Sequence, residues 1–192
     1  MLLLKEFEMK KIKEINITED TALLKKLSIA SIPLFVVFYI LFFVIAINIR
    51  PGIFINENSI LLSFITAILI FIAIIIIHEA IHGVFFKLFA PHRKVNFGII
   101  WRKGMAYATS PGSKFKRWQM VIIAVMPFII NSALLTAAYT FTSQSVSQYV
   151  LLATAHAVAC VGDFYYIWVI LRAPRGALVE DTETGLTIWR KF

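Results

Sequence analysis

The segment His78-Glu79-Ala80-Ile81-His82 sets two imidazoles four residues apart. On a helix that spacing stacks them one turn apart on one face. Both can then reach a single metal ion at about 2.0–2.1 Å. Glu79 is placed to act on a water at such a metal rather than to bind the metal. These residue types at this spacing are a zinc-hydrolase signature, and one Zn2+ is the expected cofactor. The plain alternative is a pair of buried histidines hydrogen-bonded between helices. A chance match to all the fixed positions is rare, and ionisable residues inside an apolar helix are costly and usually functional.

Two histidines do not complete a hydrolytic zinc site, which usually takes three protein ligands and a water. Within the apolar runs described below, the other acidic or histidine side chains are His156 and Asp163, both on the last run. On a continuous helix Asp163 lies about 13 Å from the end of its run, and the motif histidines about 12–18 Å from the end of theirs. His156 lies about 24 Å from the same end. The expected ligands are therefore His78, His82 and Asp163, with Glu79 as the catalytic base. A carboxylate paired to a histidine without metal is the competing reading of Asp163. His156 is a candidate for the surroundings of the metal, a proton relay or a substitute ligand, or simply a buried histidine satisfied by a hydroxyl. Asn131 follows Pro127, which frees a carbonyl and kinks a helix. It is a candidate for holding the site or a substrate, and ordinary helix packing explains it equally well. The single cysteine, Cys160, reads as a packed core thiol.

The elements that must position these residues are spanning helices. The chain has 192 residues, 59% of them hydrophobic, which places it in the membrane class. A single domain over residues 1–192 is expected. Four runs are long enough to cross a bilayer: about residues 28–49, 59–89, 120–141 and 148–171. The polar N-terminal stretch, with Glu14, Glu19 and Asp20, does not look like a cleaved signal, so the first run is expected to be a retained span. The formal net charge is +8. In a soluble protein that would suggest nucleic acid; beside apolar runs it sets topology and meets anionic lipid, and no nucleic-acid partner is expected. All but one of the 19 lysines and arginines fall in the two tails and in the long loop around residues 90–119 with its approach at Lys87, the exception being Arg50. That asymmetry predicts a multi-pass cell-membrane protein with both termini and the long loop in the cytoplasm.

Two polar regions carry further signals. Thr18, Glu19 and Asp20 predict a capped helix start before the first span. Val95, Phe97, Ile99 and Trp101 alternate, then Arg102-Lys103-Gly104 precedes a second short run, Met105 to Thr109. That predicts a β-hairpin at the cytoplasmic interface, with an edge that could hold an extended substrate. Ala177–Trp189 predicts another hairpin, turning near Glu183-Thr184-Gly185. The expected fold class is an all-α integral membrane protein of four transmembrane helices with a cytoplasmic interfacial β-hairpin.

With His78–His82 followed by an aspartate in a later span, the chain resembles intramembrane metalloproteases of the site-2 protease kind. It is most similar to the compact membrane family called putative zincin peptidases. The resemblance takes in the motif helix, the interfacial loop, Met126-Pro127 to Asn131, and Gly162-Asp163. It implies cleavage of peptide or membrane-protein substrates in or near the lipid bilayer. It also implies His78, His82 and Asp163 as zinc ligands and Glu79 as base. Site-2 proteases usually present the aspartate before a glycine; in this chain Asp163 follows Gly162 and precedes Phe164. A zinc transporter and a non-catalytic metal-binding membrane protein are the alternatives. A di-iron oxygenase would need more than the four histidines present.

Overall fold

The computed structural model describes residues 9–51 and 60–191. The loop beyond Pro51 and the expected start of the second span at Ser59 lie outside the described residues. In chain order the elements are β1 (Met9–Asn16), α1 (Thr21–Ile49), α2 (Ile60–Phe89), β2 (Asn96–Ile100), β3 (Met105–Thr109), β4 (Phe115–Lys116), α3 (Arg117–Phe141), α4 (Val146–Ala159), α5 (Val161–Arg172), β5 (Leu178–Thr182) and β6 (Gly185–Lys191).

Helices α1, α2 and α3 are long and apolar enough to cross a membrane, and α4 with α5 would make a fourth span if the bent pair counts as one. Their outer faces are densely apolar. Ile32, Val37, Ile40, Phe64, Leu69 and Ile76 are all more than half exposed, a surface that water disfavours. The α1 start is capped by Asp20, whose carboxylate accepts the Leu23 N–H at 2.9 Å. The cap thus falls at the end of the expected Thr18–Asp20 segment. Thr18 instead ties the N-terminal strand to the last hairpin, donating its N–H to the Thr184 carbonyl at 3.2 Å.

Two expectations are corrected. The fourth apolar run is not one continuous helix: it breaks at Cys160 and bends by 41°. No proline stands there; Gly162, a weak helix former, follows two residues on. The fold is also not all-α with a single hairpin. Besides the β2–β3 hairpin, a four-stranded antiparallel sheet runs in the order β1-β6-β5-β4. The strand β1 was hidden in the sequence because a bulge between Lys11 and Lys13 breaks its alternation. Gly185, which opens β6, has to be glycine: a Cβ there would sit 1.8 Å from the Ile15 carbonyl oxygen.

Both terminal strands and the long loop thus assemble at one end of the helices. Beneath them lies an apolar core that includes Ile15, Phe86, Phe115, Ile123, Ile170 and Val179. A second core, with Phe42, Ile74, Leu135, Tyr139 and Tyr149, fills the opposite half. At that far end Arg50 donates to the carbonyls of Thr142 and Gln144 at 3.0 Å each and to that of Tyr139. It thereby caps the α3 C-terminus, where a cation is favoured. The described site residues lie between the two cores.

Candidate metal centre

His78 and His82 lie one turn apart on α2, as their spacing requires. Asp163 reaches them from the first turn of α5. Its carboxylate oxygens are 3.3 Å from His78 Nε2 and 3.5 Å from His82 Nε2. The two Nε2 atoms are 3.1 Å apart. A four-coordinate zinc with bonds of about 2.0–2.2 Å spaces its ligand atoms roughly 3.3–3.5 Å apart, so the three side chains fit such an ion. His82 Nδ1 donates to the Ile123 carbonyl at 3.0 Å. That bond turns the Nε2 lone pair toward Asp163, the second contact that metal-binding histidines typically make.

His78 is held from its other side. Its Nδ1 lies 3.3 Å from His156 Nε2, which also receives the Asn131 amide at 3.1 Å. Asn131 reaches the Ile74 carbonyl as well, at 3.4 Å. Depth along a continuous helix ranked His156 behind Asp163, while its expected roles included a place beside the metal ligands. It is adjacent to His78 because His78, a turn before His82 on α2, extends Nδ1 away from Asp163, and because the helix breaks at Cys160, between His156 and Asp163. No hydroxyl satisfies His156 among the described residues; its Nδ1 is buried without a partner. Cys160 Sγ stands 3.9 Å from His78 Nδ1 and 3.8 Å from His156 Nε2. Two groups that could hold a metal therefore share His78: one with His82 and Asp163, the other with His156 and Cys160.

The first group opens on a cavity of about 180 Å³. His78, Glu79, His82 and Asp163 line one side of it, Met105–Ala108 of β3 another, and Asp181–Gly185 of the last hairpin a third. The hairpin β2–β3 can lie this close to the motif helix because of Gly83. A Cβ at that position would stand 2.4 Å from the Phe97 ring. The Glu79 carboxylate faces the main-chain N–H of Ala108 on β3. In the β2–β3 pairing Ala106 and Ala108 share one phase, opposite Ile99 and Phe97. The main-chain groups of Ala106 therefore point the same way as those of Ala108, away from β2 and toward the cavity.

Sequence reasoning missed Asp181. It is only 7% exposed and lines the same cavity. Burial pushes its carboxyl up to about 8, opposed by the nearby His82 imidazole and the Thr109 hydroxyl. A signal existed: Ala177, Val179 and Asp181 are in phase on one face of a strand whose other phase is more exposed. The carbonyl of Ile123, being main chain, left none.

No curated protein and no solved structure matches the chain. A family model does, over residues 71–178, from the middle of α2 to the first residue of β5 and including every motif residue above. Since that match spans more than half of the sequence, the chain belongs to the family described as "Putative zincin peptidase".

Proposed function

We propose that the chain is a membrane-embedded zinc peptidase of the site-2 protease kind. The observation that carries this is the convergence of His78, His82 and Asp163 on one point, with Glu79 beside it, at a cavity bordered by an open strand edge. Membership of a zincin family supports zinc as the metal and peptide hydrolysis as the reaction. When bound by His78, His82 and Asp163, zinc supplies Lewis acidity, acidifying water toward neutral pH and polarising a carbonyl.

The remaining work falls to the chain. Glu79 takes the proton of the attacking water and returns it to the departing amide nitrogen. Its place against the Ala108 N–H keeps the carboxylate at the cavity wall. The outward main-chain groups of Ala106, with the Ala108 carbonyl, hold a peptide in extended form, as an added strand. An extended peptide is what the reaction needs, because a helix hides its carbonyls in its own hydrogen bonds. Ile123 fixes His82, while His156 and Asn131 fix His78.

The bilayer placement rests on the apolar outer faces of α1, α2 and α3 and on the charge asymmetry. Phe97, Ile99 and Trp101 are 58%, 49% and 82% exposed on one side of the hairpin. Apolar and aromatic residues so placed suit a headgroup region. The sheets then lie at the cytoplasmic face, with both termini on that side.

The test is cleavage of peptide and single-span substrates by purified protein in lipid nanodiscs. Cleavage that a chelator stops, zinc restores and Glu79→Gln abolishes is expected. Unchanged cleavage by Glu79→Gln, or none by zinc-loaded wild type across a broad peptide library, would count against the reading.

A further inference from the structure

The roles given to His78, Glu79, His82 and Asp163 leave two carboxylates of the cavity without a task. The chain as a whole is basic, with 19 lysines and arginines against 11 acidic residues. The cavity is the reverse. Glu79, Asp163, Asp181 and Glu183 line it, and among the described residues no lysine or arginine does. With a zinc ion bound, Asp163 and Glu79 would together balance its two positive charges. Asp181 and Glu183 stand on the side formed by the last hairpin, and among the described residues no lysine or arginine shares that cavity with them.

Asp181 is the telling member. It is more than nine-tenths buried, faces the cavity, and makes no ion pair among the described residues. The Thr109 hydroxyl beside it donates to Asp181's own main-chain carbonyl at 3.0 Å. A buried carboxyl is costly unless something pairs with it; the neighbours of this one are the Thr109 hydroxyl and the His82 imidazole, and the latter is already engaged by Asp163 and the Ile123 carbonyl. Glu183 is exposed at the turn between β5 and β6, at the rim. The Thr109 contact sets Asp181 next to the end of the β3 run along which a peptide would lie. An extended peptide there sends alternate side chains to opposite sides, one of them toward Asp181.

We propose that Asp181, with Glu183 at the rim, forms a subsite for a lysine or arginine side chain of the substrate. This rests on the peptidase reading and names the substrate class: peptides with a basic residue near the scissile bond. The cytoplasmic flanks of membrane proteins are enriched in such residues. Asp181 lies outside the segment that the family model matches.

The test compares fluorescently labelled extended peptides differing only in one central residue, Lys, Gln or Glu. Binding is read by anisotropy on intact protein in nanodiscs, and cleavage in parallel. The Lys peptide is expected to bind better than the Gln peptide by roughly ten- to a hundredfold, the range that charge-assisted hydrogen bonds supply, and the Glu peptide worse. Asp181→Asn should bring the Lys-to-Gln ratio close to one, with zinc content as the check that it folds. Glu183→Gln, at the exposed rim, should lower the ratio by a smaller factor. Equal binding of the Lys and Gln peptides by wild type overturns the subsite, whether or not any variant folds. So does a preference that a folded Asp181→Asn protein retains. A Lys preference lost in Asp181→Asn, with no peptide cleaved, upholds the subsite and contradicts the peptidase reading instead.

Discussion

His78 belongs to two clusters of metal-binding side chains, and they differ in charge and access. Through Nε2 it meets His82 and Asp163, whose side chain is 17% exposed beside the cavity. Through Nδ1 it meets His156 and Cys160, which are 1% and 0% exposed. The open cluster offers a carboxylate, a neighbouring glutamate and room for a fourth group, the arrangement of a hydrolytic metal. The closed cluster offers a second imidazole and a thiol in tight packing, backed by the Asn131 amide, the surroundings of a support. Proximity alone would rank the two alike; access to a strand-lined cavity separates them.

The largest expected effect is on catalysis. Glu79→Gln should lower kcat by about 10²–10⁴, the usual worth of a general base, while zinc content stays as in wild type. A loss of zinc in that variant would make Glu79 part of the metal-holding group and erase the distinction between base and ligand. Next in size are the closed-cluster residues. His156→Ala and Asn131→Ala should each weaken zinc affinity by roughly 10–100-fold, as removal of a partner behind a ligand does, measured by competition with a chelator. Unchanged affinity would leave them as packing residues only.

Gly83→Ala should lower activity more modestly by pushing the Phe97 ring, and with it the hairpin, off the motif helix. Phe97→Leu in the same chain should recover part of the loss; a double variant no better than Gly83→Ala would mean that the hairpin's distance from Glu79 is not what the glycine protects. The smallest effect concerns Asp181. Its raised carboxyl binds a proton more tightly in the folded protein, so the associated stability is greatest below about pH 4. It declines as pH rises and is lost by about 8. The thermal stability of Asp181→Asn relative to wild type should therefore rise between pH 5 and pH 8. A flat difference would mean that Asp181 is already ionised and paired.

The helix-borne part of this centre was legible because its signal is local. Two histidines and a glutamate at fixed offsets on an apolar run identify one face of one helix, and Asp163 was among the few ionisable residues the other runs offered. The hairpin was legible too, in the alternation of Val95, Phe97, Ile99 and Trp101 before Gly104. What was not legible depends on contacts between distant segments. The bend at Cys160 has no proline to announce it, and without it the helical rise placed His156 at the wrong depth. The pairing of β1 with β6 joins the two ends of the chain, and a bulge masks the alternation in β1. Asp181 enters the cavity only because that sheet folds over it, so a residue in the tail became part of the wall.

The most direct test of the central claim is the zinc content of purified wild-type protein beside Asp163→Ala, His82→Ala and Cys160→Ser, each loaded with zinc and then desalted. The account predicts about one zinc per chain in wild type and in Cys160→Ser, and loss of the metal in Asp163→Ala and His82→Ala. Zinc retained by Asp163→Ala but lost by Cys160→Ser would put the metal in the closed cluster and contradict the account.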